Sequence, residues 1–155
     1  MFDERCELIE TYRATPVILR ALLRDLDDTL LRERPDPDDW SIVEVVAHLA
    51  DADERAHERV RRMRDEDQPR LEAYDQAALA EERQYRFMAL DRALDRFAAS
   101  RAAHVETLAA LDDAAWARAG IHQEVGPITI QALTAHMAAH DATHLAQIAA
   151  LLASH

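Results

Sequence analysis

Trp40-Ser41-Ile42-Val43-Glu44-Val45-Val46-Ala47-His48-Leu49 is the stretch on which the fold turns. Ser41 followed three residues later by Glu44 is a capping box. The hydroxyl can accept from the backbone N–H of position 44, and the carboxylate can reach back to the N–H of position 41. Trp40 and Val45 have the spacing of a hydrophobic staple across that cap. A helix therefore starts at Ile42, and Val45, Val46, Leu49 and Val60 carry its apolar stripe to about Arg64. Such a helix must bury its stripe against other elements, and the rest of the chain supplies more helices.

Upstream, Leu8, Tyr12, Leu19, Leu22, Leu23, Leu26 and Leu30 recur at helical spacing from about Asp3 to Arg34. Pro16 has no N–H to give, so a kink or restart is expected near Thr15. Pro35-Asp36-Pro37-Asp38-Asp39 is a loop. Downstream, the polar segment Asp65 to Asp75, with Pro69 inside it, reads as a crossover. A third helix then runs from about Gln76 to Leu111, with a stripe of Phe87, Leu90, Leu94, Phe97, Val105, Leu108 and Leu111. It is long enough that a bend or early fraying is expected. Asp112 to Trp116 adds one helical turn and Gly120 to Pro127 a loop. The fourth helix runs from the cap Thr129 to Leu152. The expected fold is all-α, a four-helix bundle with a crossover connection, formed by residues 1–155 as one domain.

Composition agrees. The chain is 49% hydrophobic with only two Gly and five Pro, so breakers of long helices are few. The net charge of -12 repels phosphate backbones and anionic lipid, which excludes a general nucleic-acid or membrane-surface binder. Arg55 to Arg64 is interleaved with acids and reads as a solvated helix face. The single Cys6 reads as an idle or buried thiol, because no Cys or His stands near it at ligand spacing. The acidic start and the lack of any long apolar run lead to the expectation of a cytoplasmic protein.

Chemistry concentrates in the last helix, His136-Met-Ala-Ala-His140-Asp-Ala-Thr-His144-Leu-Ala-Gln147. Imidazoles four residues apart share a helix face and can chelate one ion. His136 and His144 are about 12 Å apart along a helix, too far to share an ion. Leu133, Met137, Ile148 and Leu151 mark the inward face. His144 falls near its middle, His140 roughly 35° away and His136 roughly 75° away. The inward pair is thus His140 and His144, with His136 on the flank. A third ligand has to come from another helix. His48 is the best candidate and His104 its rival. His57 faces away from its stripe, and His122 and His155 lie in a loop and at the terminus. Glu44, Asp51, Asp141 and Gln147 stand close enough in sequence to support a ligand, and Arg101 is expected to snorkel or pair with an acid.

Taken in order, three segments resemble the DinB/YfiT-like family of metalloenzymes. They are Tyr12-Arg-Ala-Thr-Pro16, Trp40-Ser-Ile-Val-Glu44-Val-Val-Ala-His48-Leu-Ala-Asp51-Ala-Asp53-Glu54 and His140-Asp-Ala-Thr-His144-Leu-Ala-Gln147-Ile148. The spacing from Arg101 through Trp116 to Gly126 also fits. The resemblance implies a four-helix bundle with a crossover, often a homodimer, and a divalent metal, commonly zinc or nickel, on His48, His140 and His144. It also implies a thiol-dependent S-transferase or related isomerase that takes a small-molecule substrate and a low-molecular-weight thiol. Two alternatives stand beside that reading. One is a metal-dependent hydrolase, since an ion on three imidazoles keeps open positions and can activate water. The other is a non-catalytic, stress-related binding or dimerisation module, for which a metal site closed by four protein ligands would speak.

Overall fold

Caps written in the sequence set most of the helix starts. In the computed structural model, which describes residues 3–155, six side-chain oxygens accept from backbone N–H groups at helix entries. Asp3 opens α1 (Glu4–Leu22), Asp27 opens α2 (Asp28–Arg32) and Ser41 opens α3 (Ile42–Asp65). Asp75 opens α4 (Gln76–Glu82). α5 (Leu90–Ala109) follows Ala89 with no side-chain cap. Asp112 opens α6 (Asp113–Trp116) and Thr129 opens α7 (Ile130–Ala153). At Ser41 both halves of the capping box are made, and Trp40 packs against the cluster that holds Val45.

Two helices expected to be continuous are broken. The first ends at Leu22, and Asp25 takes a left-handed backbone at φ 55° before Asp27 starts α2. The third is interrupted at Gln84, also left-handed at φ 53°, and by the tight helical turn Tyr85–Phe87, before α5 begins. In both places an Asp or Gln tolerates a conformation that ends an α-helix. Pro16, by contrast, does not restart α1, which is helical from Glu4 to Leu22. The carbonyl of Tyr12, which Pro16 cannot bond, accepts instead from Arg101 at 2.9 Å.

The long helices α1, α3, α5 and α7 form the bundle. Both α1 and α3 pack on α5 and α7, so α1 and α3 stand on one diagonal. Asp53 meets Arg101 and His57 meets Thr107, so α3 and α5 run parallel. Neighbouring parallel helices need a connection that returns along the bundle, and residues 66–89 supply it, as the polar segment predicted. α7 runs against α3, because Met63 and Leu133 share one end cluster while His48 meets His140 at 3.0 Å.

The segment expected as a loop before the last helix is a β-hairpin. β1 (Arg70–Leu71) pairs parallel with β2 (Ala119–His122), which pairs antiparallel with β3 (Gly126–Thr129), His122 opposite Gly126. Gly126 closes the three-residue connection at φ +80°, the left-handed position such hairpins require. A Cβ on Gly120 would come within 2.8 Å of Leu71 and 3.1 Å of Met63, so any other residue there would push these side chains aside where the sheet lies on the end of α3. The all-α bundle therefore carries a small sheet at one end.

Two large apolar clusters fill most of the interior, one around Leu19, Val46, Leu49 and Phe97, the other around Val60, Met63, Leu108 and Ile130, and a small third one joins Ala47, Ala80 and Tyr85. Buried polar groups lie among them: Thr15, Asp53, Arg101, His104 and Asp141. Among the described residues, no helix is long and apolar enough to cross a membrane.

Candidate metal centre

His48 lies nearly two turns into α3, one turn beyond Glu44, and is 1% exposed. Trp40 lies against it, ring centroids 4.9 Å apart, so the residue before the cap walls one side of the histidine. From α7 come His140 and His144, one turn apart and half-buried. Nε2 of His48 is 3.0 Å from Nε2 of His140, which is 3.2 Å from Nε2 of His144. One ring nitrogen from each of the three lies within 4.8 Å of the others. Ring nitrogens that share an ion at about 2.0–2.1 Å each stand close together in this way.

The protonation chemistry fits. Burial, with His140 and His144 close by, pushes the His48 imidazole down to about 3. Burial and the neighbouring His144 push His140 down to about 4. Both rings are then neutral at pH 7, the form that ligates a metal. Gln147 Oε1 lies 2.8 Å from His144 Nδ1 and accepts a hydrogen bond from its N–H, which leaves Nε2 with its lone pair aimed at the cluster. The Nδ1 of His140 is buried without a partner. No fourth His, Cys, Asp or Glu joins the cluster among the described residues.

Other residues expected near the cluster do different work. His104 is drawn away: its Nδ1 is 2.9 Å from Asp53 Oδ1, and its ring stacks on His57 at 4.9 Å. His57 does not face solvent, being 7% exposed with Nε2 2.7 Å from the Thr107 hydroxyl. Glu44 completes the cap and accepts two bonds from Arg34 at 2.8 and 2.7 Å. Asp51 accepts from Arg83, Arg96 and the Tyr85 hydroxyl, and so ties the crossover to α3. Asp141 accepts both ends of the Arg101 guanidinium at 2.6 and 2.9 Å. Cys6 is exposed and hydrogen-bonds Asp3.

The cluster opens on its His140 side to a cavity of about 410 Å³. Ala52 and Ala56, one and two turns beyond His48, form its floor on α3. Their small side chains leave the space between α3 and α7 unfilled. Arg55, Arg59, Tyr74, His122 and His136 form the walls. The sequence reading placed Arg55 and Arg59 on a solvated face. Alanines at helical spacing from His48 are the signal that would have identified the groove.

The model of the DinB superfamily matches residues 11–148. No curated protein matches the chain in sequence. Among solved structures, YfiT from Bacillus subtilis superposes with a TM-score of 0.89 at 22% identity, over 95% of this chain and 85% of that one. It is described as "a probable metal-dependent hydrolase with an unusual four-helix bundle topology". TT2238, described as a four-helix bundle protein, superposes with a TM-score of 0.70 at 23% identity, over 94% of this chain and 98% of that one. At these identities the two structures speak for the fold, and the family match over most of the length speaks for descent: the chain belongs to the DinB superfamily.

Proposed function

We propose that the protein is a divalent-metal-dependent enzyme that joins a low-molecular-weight thiol to an electrophilic carbon of a small molecule, with His48, His140 and His144 holding the metal. The observation that carries this reading is the meeting of three imidazole nitrogens within 4.8 Å beside an open cavity. An all-imidazole donor set suits zinc or nickel. When bound, such an ion supplies a Lewis acid that polarises a neighbouring group and lowers the pKa of a thiol or water reaching it.

The chain's own residues bind and orient. Trp40 fixes the His48 ring, and Gln147 fixes the His144 tautomer. His136, one turn before His140 on the cavity wall, presents an exposed ring that can accept a proton. In the transfer, the thiol gives up its proton, an S–C bond forms, and the leaving group departs with its bonding pair.

The thiol as cosubstrate rests on the family resemblance. Hydrolysis, with water in place of the thiol, is the second reading, supported by the description of YfiT. A structural zinc site is usually closed by four protein ligands, and three here beside a cavity favour an enzyme. The test is turnover of a bromobimane electrophile with cysteine or glutathione, and of nitrophenyl acetate without thiol, by zinc- or nickel-loaded protein. Thiol-dependent product that drops on the order of a hundredfold in a folded His48→Ala variant is the expected result. Thiol-independent ester cleavage that drops in the same variant would shift the assignment to hydrolase. Rates unchanged by the substitution contradict both.

A further inference from the structure

Two cations face the cavity with no ion-pair partner among the described residues. Arg55 and Arg59 stand one turn apart on α3, both half-buried and both on the cavity wall. The chain has 30 acidic residues and 18 arginines, and ten of those arginines have a carboxylate within ion-pair distance among the described residues. Further along the same helix Arg62 pairs with Glu66 and Arg64 with Asp65. Neither Arg55 nor Arg59 has a carboxylate within ion-pair distance among the described residues. Like charges at this helical spacing repel, and burial adds to the cost.

Their positions are nonetheless fixed. The Arg55 guanidinium lies 3.8 Å from the centre of the Tyr74 ring and has no hydrogen-bond acceptor among the described residues. Arg59 donates to the carbonyl of Glu72 in the crossover. His122 and His136 add two more nitrogen-bearing rings to the same wall, against one carboxylate, Glu124.

We propose that this cavity binds a small molecule carrying an oxyanion group, a carboxylate or a phosphate ester, and that Arg55 and Arg59 recognise that group. A planar guanidinium with free edge donors matches the two oxygens of either anion. Arg55 lies seven residues beyond His48, about 10 Å along the helix, so a ligand of modest length reaches from the arginines to the histidine cluster. The proposal rests on the preceding reading for what happens at that cluster, but not for the binding itself.

The two can fail separately. Calorimetric titration with glutarate, with glycerol phosphate and with uncharged glutaramide is run on zinc-loaded and on chelator-treated protein. Both anions, or one of them, bind at least about tenfold more tightly than glutaramide in both forms, and the stronger anion identifies the group. Arg55→Gln lowers that affinity about tenfold while leaving metal content unchanged, and Arg55→Lys recovers part of it. Rising salt weakens binding to the wild-type protein, which keeps the test decisive if Arg59→Gln, with its link to the crossover, fails to fold. Anion selectivity that appears only with zinc present and ignores the Arg55 substitutions would place the anion on the metal and overturn the proposal. So would equal affinity for glutaramide, or no binding of either anion at millimolar concentration. Selective binding in a chain that never takes up metal would uphold the anion site and remove the metalloenzyme.

Discussion

Arg101 shows what a single buried charge does in this molecule. It is 2% exposed, yet Asp53 accepts from its Nε at 2.8 Å, Asp141 accepts from both terminal nitrogens, and the carbonyl freed by Pro16 takes a fourth bond. Thr15 donates to Asp141 at 2.8 Å and Ser100 to Asp53 at 2.7 Å, so both carboxylates are satisfied from several sides. Four helices thus meet at one guanidinium. Arg101→Met keeps the volume but strands two buried carboxylates, and a loss of about 3–5 kcal/mol is predicted, read from urea denaturation. A loss under about 1 kcal/mol would show that water already compensates those acids. The sequence revealed Arg101 as an inward cation needing an acid, but not which acids, because Asp53 and Asp141 belong to helices whose register only packing sets. It revealed the meeting of His48, His140 and His144 better, since helical period alone aims two of them inward. Arg55 and Arg59 were misread because a run of mixed charge looks solvated until a neighbouring element is known to cover it.

At the level of elements, local signals located starts better than interruptions. The capping residues Ser41 and Thr129 marked α3 and α7 to within a residue, because a cap is a short-range hydrogen bond. The breaks at Asp25 and Gln84 left no such mark, since neither residue is a glycine or proline. The hairpin was missed for a different reason. Gly120, Gly126 and Pro127 read as loop punctuation, and the pairing that makes them a sheet reaches back to Arg70 and Leu71. Gly126 is the clean probe of that hairpin, because a Cβ there meets nothing within 4 Å and any cost is conformational. Gly126→Ala is predicted to lower stability by about 1–2 kcal/mol by thermal melting with the cavity intact. An unchanged melting temperature would mean that the left-handed turn is not what closes the strands.

The whole molecule joins an acidic surface to an interior that holds His48, His57 and His140 neutral. His57 is pushed down to about 4, chiefly by burial and then by His104 and Arg61, from an ordinary value of 6.5. The unfolded chain therefore takes up a proton between pH 6.5 and 4 that the folded chain refuses, and stability falls as the pH falls through that window. Asp53 acts in the same direction lower down. Burial, which pushes it up, is outweighed by the His104 hydrogen bond and the charge of Arg101, and it stands at about 2 against 3.8. Its stabilising share is complete above 3.8 and is lost as the pH drops through 2. His57→Gln is predicted to flatten the upper part of this dependence by up to about 1.4 kcal/mol per pH unit. Parallel melting curves for the two proteins from pH 7 to 4 would show that His57 titrates normally. The crossover was legible because the polar link from Asp65 to Asp75 is long enough to return along the bundle. The central claim is that this bundle brings three imidazoles together to hold a metal ion. Its most direct measurement is metal content after purification without a metal-affinity tag, for the wild-type chain and for a His140→Ala/His144→Ala variant. About one divalent ion per chain in the first and almost none in the second is the predicted result. Equal and negligible metal in both would contradict it.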